Sequence, residues 1–384
     1  RDSFASLDIL KGNFKIIGPP TTASDKIFHG ALIYYLWAPI YFFSNNNPEM
    51  AAAVFRVVNA LGAALVFYIG SVIFNRFVGI LSALLFALSY EQSQYALFFG
   101  HPALGDFTVL IFYLGLAFWI FKNKPWGLVI SLAGLGLTLQ FEDANFPLIL
   151  NLIVYLIIFH EKLKSLNFKI IVLGISAFLL STSTFILSEI KYHFRMTQTL
   201  TEIILNKDEH VFNIQNIFHL VPPILLAFFL ASFTYLIWKK SLRMQGLFLL
   251  VWFFGGMVSQ LLNPSFTYYY SPAATVSLLI LTSFLIYQIF IKNKLLAAIL
   301  MSAIIFSNLN LILSQNHQGP NKDIIIQPGL LTSSERQALD YIYKQANSQS
   351  FAVNALMIPL NVKTTWDYLF NWYGRGKYRY LPVW

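Results

Sequence analysis

Apolar runs of about twenty residues recur along the whole chain, each closed by a short polar break. Wound as an α-helix, a run of that length matches the hydrocarbon thickness of a bilayer. The pattern predicts ten spans, at 50–74, 78–97, 103–121, 126–141, 145–160, 170–189, 218–238, 245–262, 272–291 and 295–314. The breaks carry the expected punctuation: Asn75-Arg76, Asn123-Lys124-Pro125, Glu161 to Lys169, Lys239-Lys240 and Lys292-Asn293-Lys294. A shorter run over 31–43 (ALIYYLWAPIYFF) contains Pro39 and is too short to cross. It predicts a helix lying at the membrane surface.

The pattern changes beyond residue 315. Gly319-Pro320 opens a polar stretch, and Thr332-Ser333-Ser334-Glu335 has the form of a capping box ahead of a helix over 333–347. Phe351–Ile358 (FAVNALMI) reads as a strand. The expected fold is therefore an all-α polytopic membrane protein in three parts. Residues 1–44 form a first outer loop with interfacial helices, 45–315 a transmembrane core, and 316–384 a small outer α/β segment. The chain starts at Arg1 rather than Met and ends on Leu381-Pro382-Val383-Trp384. Both ends read as cuts, and a further helix is expected upstream.

Composition narrows the class. Of 384 residues, 57% are hydrophobic and 11% charged, whereas a soluble domain is about a quarter charged. This excludes a soluble enzyme and a disordered chain. With no cysteine, a disulfide-stapled secreted domain is excluded too. The net charge of +9 is a matter of topology. Arg76, Lys122, Lys124, Lys162, Lys164, Lys169, Lys239, Lys240, Arg243, Lys292 and Lys294 fall in alternate loops, with Glu161 as the one acid among them. The opposite short loops near 98–102, 141–145 and 263–271 hold no Lys or Arg. The positive-inside rule places the basic set in the cytoplasm and leaves nearly all the acids outside. Nucleic acid is not an expected partner. Any chemistry belongs on the outer face.

The first outer segment is the richest in motifs: Arg1-Asp2, Asp8-Ile9-Leu10-Lys11-Gly12, Gly18-Pro19-Pro20-Thr21 and His29-Gly30-Ala31-Leu32-Ile33-Tyr34-Tyr35. In this order, followed by many spans and an outer tail, they resemble the first outer loop of the GT-C glycosyltransferases of family 39. That family includes the protein O-mannosyltransferases and the lipid A aminoarabinose transferase. The likeness is strongest over residues 1–122 and extends as a span pattern to about 315.

The resemblance implies an inverting transferase of the plasma membrane. It would move a hexose or pentose from a polyprenyl-phosphate donor to a protein, lipid or glycan acceptor, with an outer-loop Asp as general base. That acid opens a D-x-x-R-D motif in many bacterial members. The leading Asp would then lie upstream of Arg1, and Asp2 is the nearest visible acid, unless Asp2 only caps its helix. Asp106, in Leu104-Gly105-Asp106-Phe107, is similar to a second family acid with a Gly inserted; helix capping is its other reading. His29 and Lys26 stand near the turn where relatives place a phosphate-binding Lys. A surface histidine is the alternative for His29.

Other candidates come from the residues themselves. Glu91 lies in a span, where a charge is costly unless paired or wet. Glu142 and Asp143 share a tight outer turn, where adjacent carboxylates can bind a divalent metal, position an acceptor or simply solvate the turn; no other cofactor is implied. Arg56 can snorkel or meet a lipid phosphate. Lys191, His193 and Arg195 can clamp a phosphate. Tyr269, within Tyr268-Tyr269-Tyr270, suits an aromatic belt or a sugar platform. The chain has no phosphate-binding G-x-x-x-x-G-K-[ST] loop and no H-E-x-x-H zinc motif. Two rivals remain: a lipid-linked glycan flippase or repeat-unit polymerase, which needs no general base, and a noncatalytic glycan-assembly protein.

Overall fold

The computed structural model describes residues 2–21, 26–97, 100–205, 213–262, 274–316, 331–354 and 363–384. In chain order its elements are α1 (Asp2–Leu10), the strands β1 (Ile17–Pro20) and β2 (Phe28–Gly30), α2 (Leu32–Phe43), α3 (Pro48–Ile73), α4 (Arg76–Ala87) and α5 (Tyr90–Leu97). There follow α6 (His101–Lys122), α7 (Trp126–Phe141), α8 (Leu148–Ile158), α9 (Phe168–Ser181), α10 (Ser183–Lys191), α11 (Arg195–Leu205), α12 (Gln215–Leu220), α13 (Pro223–Trp238) and α14 (Arg243–Leu261). Last come α15 (Ala274–Lys292), α16 (Lys294–Gln315), α17 (Thr332–Ala346), α18 (Thr364–Leu369) and α19 (Arg375–Tyr378). The fold is all-α apart from one two-stranded antiparallel hairpin, β1–β2, among the described residues.

Where described, the predicted spans are largely helical, but not every one is a single long helix. Among the described residues five helices are long and apolar enough to cross a membrane, and six if the bent pair α9–α10 counts as one span. Shorter apolar helices of 10–17 residues occupy 78–97, 126–141, 145–160 and 218–238. This is the helix set of a membrane protein. Two interruptions have local causes. The 170–189 run bends by 63° between α9 and α10. There Ser181-Thr182-Ser183-Thr184 interrupts the apolar sequence, and Thr182 Oγ1 donates back to the Phe178 carbonyl at 2.9 Å. The 78–97 run breaks at Leu88-Ser89, and the Tyr90 N–H is taken by Asn308 Oδ1 at 2.8 Å.

The chain divides into two compact units. The larger holds residues 16–31 and 55–314; the smaller holds 1–15, 32–54 and 315–384. In the larger unit the core is aromatic. Tyr113 stacks on Trp252 at 3.9 Å between ring centres and its hydroxyl accepts from Asn151 Nδ2 at 2.6 Å. α6 and α7 touch backbone to backbone, because a Cβ on Gly115 would lie 2.4 Å from the Ser131 nitrogen. At the far end of the same helices Lys162 Nζ donates to Asn123 Oδ1 at 2.6 Å, so two of the basic loops meet.

In the smaller unit Leu339, Tyr343, Leu369 and Phe370 form the core, and Tyr343 stacks on Tyr378 at 4.1 Å. Two expectations for the tail need correcting. α17 begins at Thr332 with Leu331 in the cap position and no side-chain cap bond, so the capping box does not form. The strand over 351–358 reduces, where described, to a single parallel bridge between Ala352 and Val383; residues 355–362 lie outside the described part. The α/β character expected of the tail is not seen among its described residues, which are helical.

Candidate functional site

Polar groups gather in the larger unit at the C-terminal end of α7 and the N-terminal end of α6. The hairpin delivers the first of them. β1 and β2 can pair only because Gly18 has no side chain: a Cβ there would lie 2.3 Å from the Gly30 carbonyl oxygen. Gly30 in turn lies against Gln140, where a Cβ would overlap the amide. The Ala31 N–H then donates to Thr184 Oγ1 at 3.2 Å, and that hydroxyl donates to Gln140 Oε1 at 2.8 Å. The bend between α9 and α10 is what brings Thr184 into reach. This chain of bonds fixes His29 beside the turn that ends α7.

That turn supplies two carboxylates. Glu142 ends α7, and its Oε1 accepts from the Ala144 N–H at 3.4 Å. The Ala144 carbonyl accepts from Ser259 Oγ of α14, which holds the turn from the other side. Gly105 of α6 faces it: a Cβ there would come 3.2 Å from the Glu142 Cβ. The glycine that interrupts the expected Leu-Asp pair is therefore what lets the turn sit against α6.

The contacts are close but unsaturated. His29 Nδ1 lies 3.6 Å from Asp143 Oδ1, and His101 Nδ1 lies 3.4 Å from Glu142 Oε2. The two imidazoles pack against each other, tilted by 37°, with 3.8 Å between ring centres. His29 is 4% exposed and Glu142 1%, yet His29 Nδ1, Glu142 Oε2 and Asn145 Nδ2 have no hydrogen bond. Such atoms are costly to bury and mark places where something else binds. Burial pulls the His29 imidazole well below its ordinary value, and His101 adds to this. Burial also pushes up the Glu142 and Asp143 carboxyls, Asp143 further through the adjacent Glu142 charge.

A second group lies one turn further along α6. Asp106 is 1% exposed and Glu91 of α5 is within electrostatic reach of it. Asp106 is near Gln92 and Glu91 near Thr275, but the buried Asp106 Oδ1, Glu91 Oε1, Thr275 Oγ1 and Gln92 amide atoms do not close to well-formed hydrogen bonds. An apolar cavity of ≈ 480 Å³ adjoins the segments on either side of the carboxylate turn. Its walls include Leu139 and Phe146, which flank the carboxylate turn, with Phe178, Phe185 and Ile190, and Glu189 among its lining residues.

The structure thus brings together His29, Glu142 and Asp143, and sets Asp106 near Glu91. It corrects several expectations. His29 is buried rather than a surface histidine, and Glu142 does not merely solvate a turn. Asp106 is not a cap, because α6 starts at His101 with Gly100 in the cap position. Arg56, Lys191 and Arg195 are exposed on α3, α10 and α11, and Lys26 is exposed ahead of β2. Asp2 opens α1 in the smaller unit, where its carbonyl accepts from Ser6 Oγ at 2.8 Å. Arg1 and Tyr269 lie outside the described residues. Sequence reasoning missed His101, Gln92 and Asn145. The signal for His101 was present: a His-Pro step at the head of an apolar run, in a loop without Lys or Arg. No family model, curated protein or solved structure matches the chain.

Proposed function

We propose that this chain is an integral membrane glycosyltransferase that moves a sugar from a polyprenyl-phosphate donor to a protein, lipid or glycan acceptor on the outer face, with inversion. One observation carries the reading: a cluster of buried, incompletely bonded groups, His29, Glu142 and Asp106 among them, stands at one end of α6, α7 and α8. The basic loops that hold Lys122, Lys124, Lys162 and Lys164 connect the same helices at their other end. By the positive-inside rule the cluster is then outside, and the ten-span reading stands on the same charge pattern. The apolar cavity beside it suits the tail of a prenyl donor.

The chemistry follows from the groups present. Asp106 takes the proton from the acceptor hydroxyl as that oxygen attacks the anomeric carbon. The bond from that carbon to the phosphate oxygen breaks, and the polyprenyl phosphate leaves with the electron pair. Holding donor and acceptor side by side supplies the proximity. The His29 imidazole, kept neutral by burial, offers an N–H donor to the leaving group, but little charge.

The test uses membranes containing the full-length protein and radiolabelled polyprenyl-phosphate sugars. Transfer by the wild type is expected. Asp106→Asn keeps the shape and removes the base, so transfer should fall by about a hundredfold or more with unchanged expression and melting. Wild-type turnover in that variant removes Asp106 as the base. No transfer from any donor tried removes the reading and favours a flippase or polymerase, which needs no base. A cysteine at Ala144 should label from outside intact cells, and one at Ser165 should not; the reverse overturns the orientation.

A further inference from the structure

The cluster at the end of α7 has the composition and spacing of a metal centre. His29, Glu142 and Asp143 come from two separate stretches of chain, and one ligand atom from each lies within 4.8 Å of the other two. Around a single ion with bonds of about 2.0–2.2 Å, ligand atoms stand roughly 3–4 Å apart. The distance of 3.6 Å from His29 Nδ1 to Asp143 Oδ1 falls in that range. It is too long for a hydrogen bond. A histidine and a carboxylate that needed only each other would have closed to about 2.8 Å.

Two further observations point the same way. His29 Nδ1 and Glu142 Oε2 are buried without a hydrogen bond, and both residues belong to the triad. Among the described residues the ion pairs of Glu142 and Asp143 are with histidines alone, not with Lys or Arg. Two adjacent carboxylates in a buried place with no strong cation ionise only at a cost. A dication supplies what is missing. His101, packed against the His29 ring and 3.4 Å from Glu142 Oε2, braces both.

We propose that His29, Glu142 and Asp143 bind one divalent transition-metal ion, Mn²⁺ or Zn²⁺. One imidazole with two carboxylates suits those ions better than Ca²⁺, which takes six to eight oxygens. Three protein ligands leave positions open for an anionic oxygen. Use of an open position by the donor phosphate rests on the transferase reading; the site itself does not.

The full-length protein in detergent is stripped with EDTA and titrated with Mn²⁺, followed by the resonance of the free ion, and with Zn²⁺, followed by calorimetry. One ion per chain is expected, with Ca²⁺ a poor competitor. Glu142→Gln, Asp143→Asn and His29→Gln should each weaken binding by roughly a hundredfold or more, and His101→Ala by about tenfold. His160→Ala, on an exposed residue in a basic loop, should change nothing. As a control for folding, Zn²⁺ should raise the melting temperature of the wild type and not that of Glu142→Gln. Equal affinity in the wild type and in the Glu142→Gln/Asp143→Asn double variant overturns the site, as does the absence of any bound ion. Metal bound without sugar transfer keeps the site and removes the activity. Transfer without bound metal removes the site and keeps the activity.

Discussion

Glu142 in the larger unit and Asp340 in the smaller one are both carboxylates set among aromatic and titratable neighbours, and they are treated in opposite ways. Asp340 is surrounded by donors. Lys377 Nζ reaches both its oxygens at 2.9 Å, Tyr378 Oη donates at 2.8 Å and Tyr373 Oη at 3.1 Å. Glu142 is 1% exposed, accepts one long bond from Ala144, and leaves its second oxygen unbonded. A satisfied carboxylate ties elements together. An unsatisfied one costs stability, and the fold tolerates it where something else is to be held.

The sharpest way to break this contrast is to neutralise each acid with its amide. Glu142→Gln removes a buried carboxyl that burial disfavours as an anion and that has no strong cation beside it, so melting should stay the same or rise, while divalent-ion binding and transfer are lost. Asp340→Asn should do the reverse. Its side chain is about a third exposed at 36%, so the loss of stability should be about 0.2–1 kcal/mol, with metal binding and transfer unchanged. If Glu142→Gln melts well below the wild type and binds metal normally, the acid is structural and the contrast fails.

Two glycines sharpen the comparison at smaller scale. Gly105→Ala would put a Cβ 3.2 Å from the Glu142 Cβ, so the carboxylate turn must move back by a few tenths of an ångström. A shift of that kind should weaken ion binding on the order of tenfold, like a lost bracing contact. Gly376→Ala meets nothing within 4 Å and should leave binding unchanged. Equal binding in both variants would show that the turn does not depend on its approach to α6.

The two regions also differ in how far the sequence reveals them. Helices such as α6 and α16 are legible because a long apolar run has one economical conformation in a bilayer. The bend between α9 and α10 is less so, since hydropathy does not register the pull of Thr182 on the Phe178 carbonyl. Glu142 and Asp143 stand out as adjacent acids in a short turn. The burial of His29 does not, because it depends on Thr184 and Gln140, more than a hundred residues away. Gly18-Pro19-Pro20 reads as a turn and is a strand, made possible by the approach of Gly30. In the smaller unit the partners of Asp340 lie more than thirty residues downstream among many aromatics, and no spacing rule selects Tyr373 and Tyr378 from the rest.

The smallest expected effect is a pH dependence confined to the smaller unit. Burial opposes ionisation of Asp340, but the hydrogen bonds from Lys377, Tyr378 and Tyr373 outweigh it and hold the carboxyl below its ordinary value. A folded value below the unfolded one gives stability that is present above the unfolded pKa, about 3.9, and lost as pH falls through the folded value. A further charged group facing this network is Arg336, which lies over the Tyr373 ring at 5.8 Å and pairs with Glu49 at 2.8 Å. The Glu49–Arg336 pair adjoins the same network, so its contribution must be separated. Amide hydrogen exchange reads the two apart. Protection in α17 and α19 should be up to about fivefold weaker at pH 3 than at pH 6, the equivalent of less than about 1 kcal/mol for a partly exposed network. In Glu49→Gln that difference should persist, and in Asp340→Asn it should vanish. Persistence in Asp340→Asn would assign the acid sensitivity elsewhere, and Asp340 would then be no better bound in energy than Glu142.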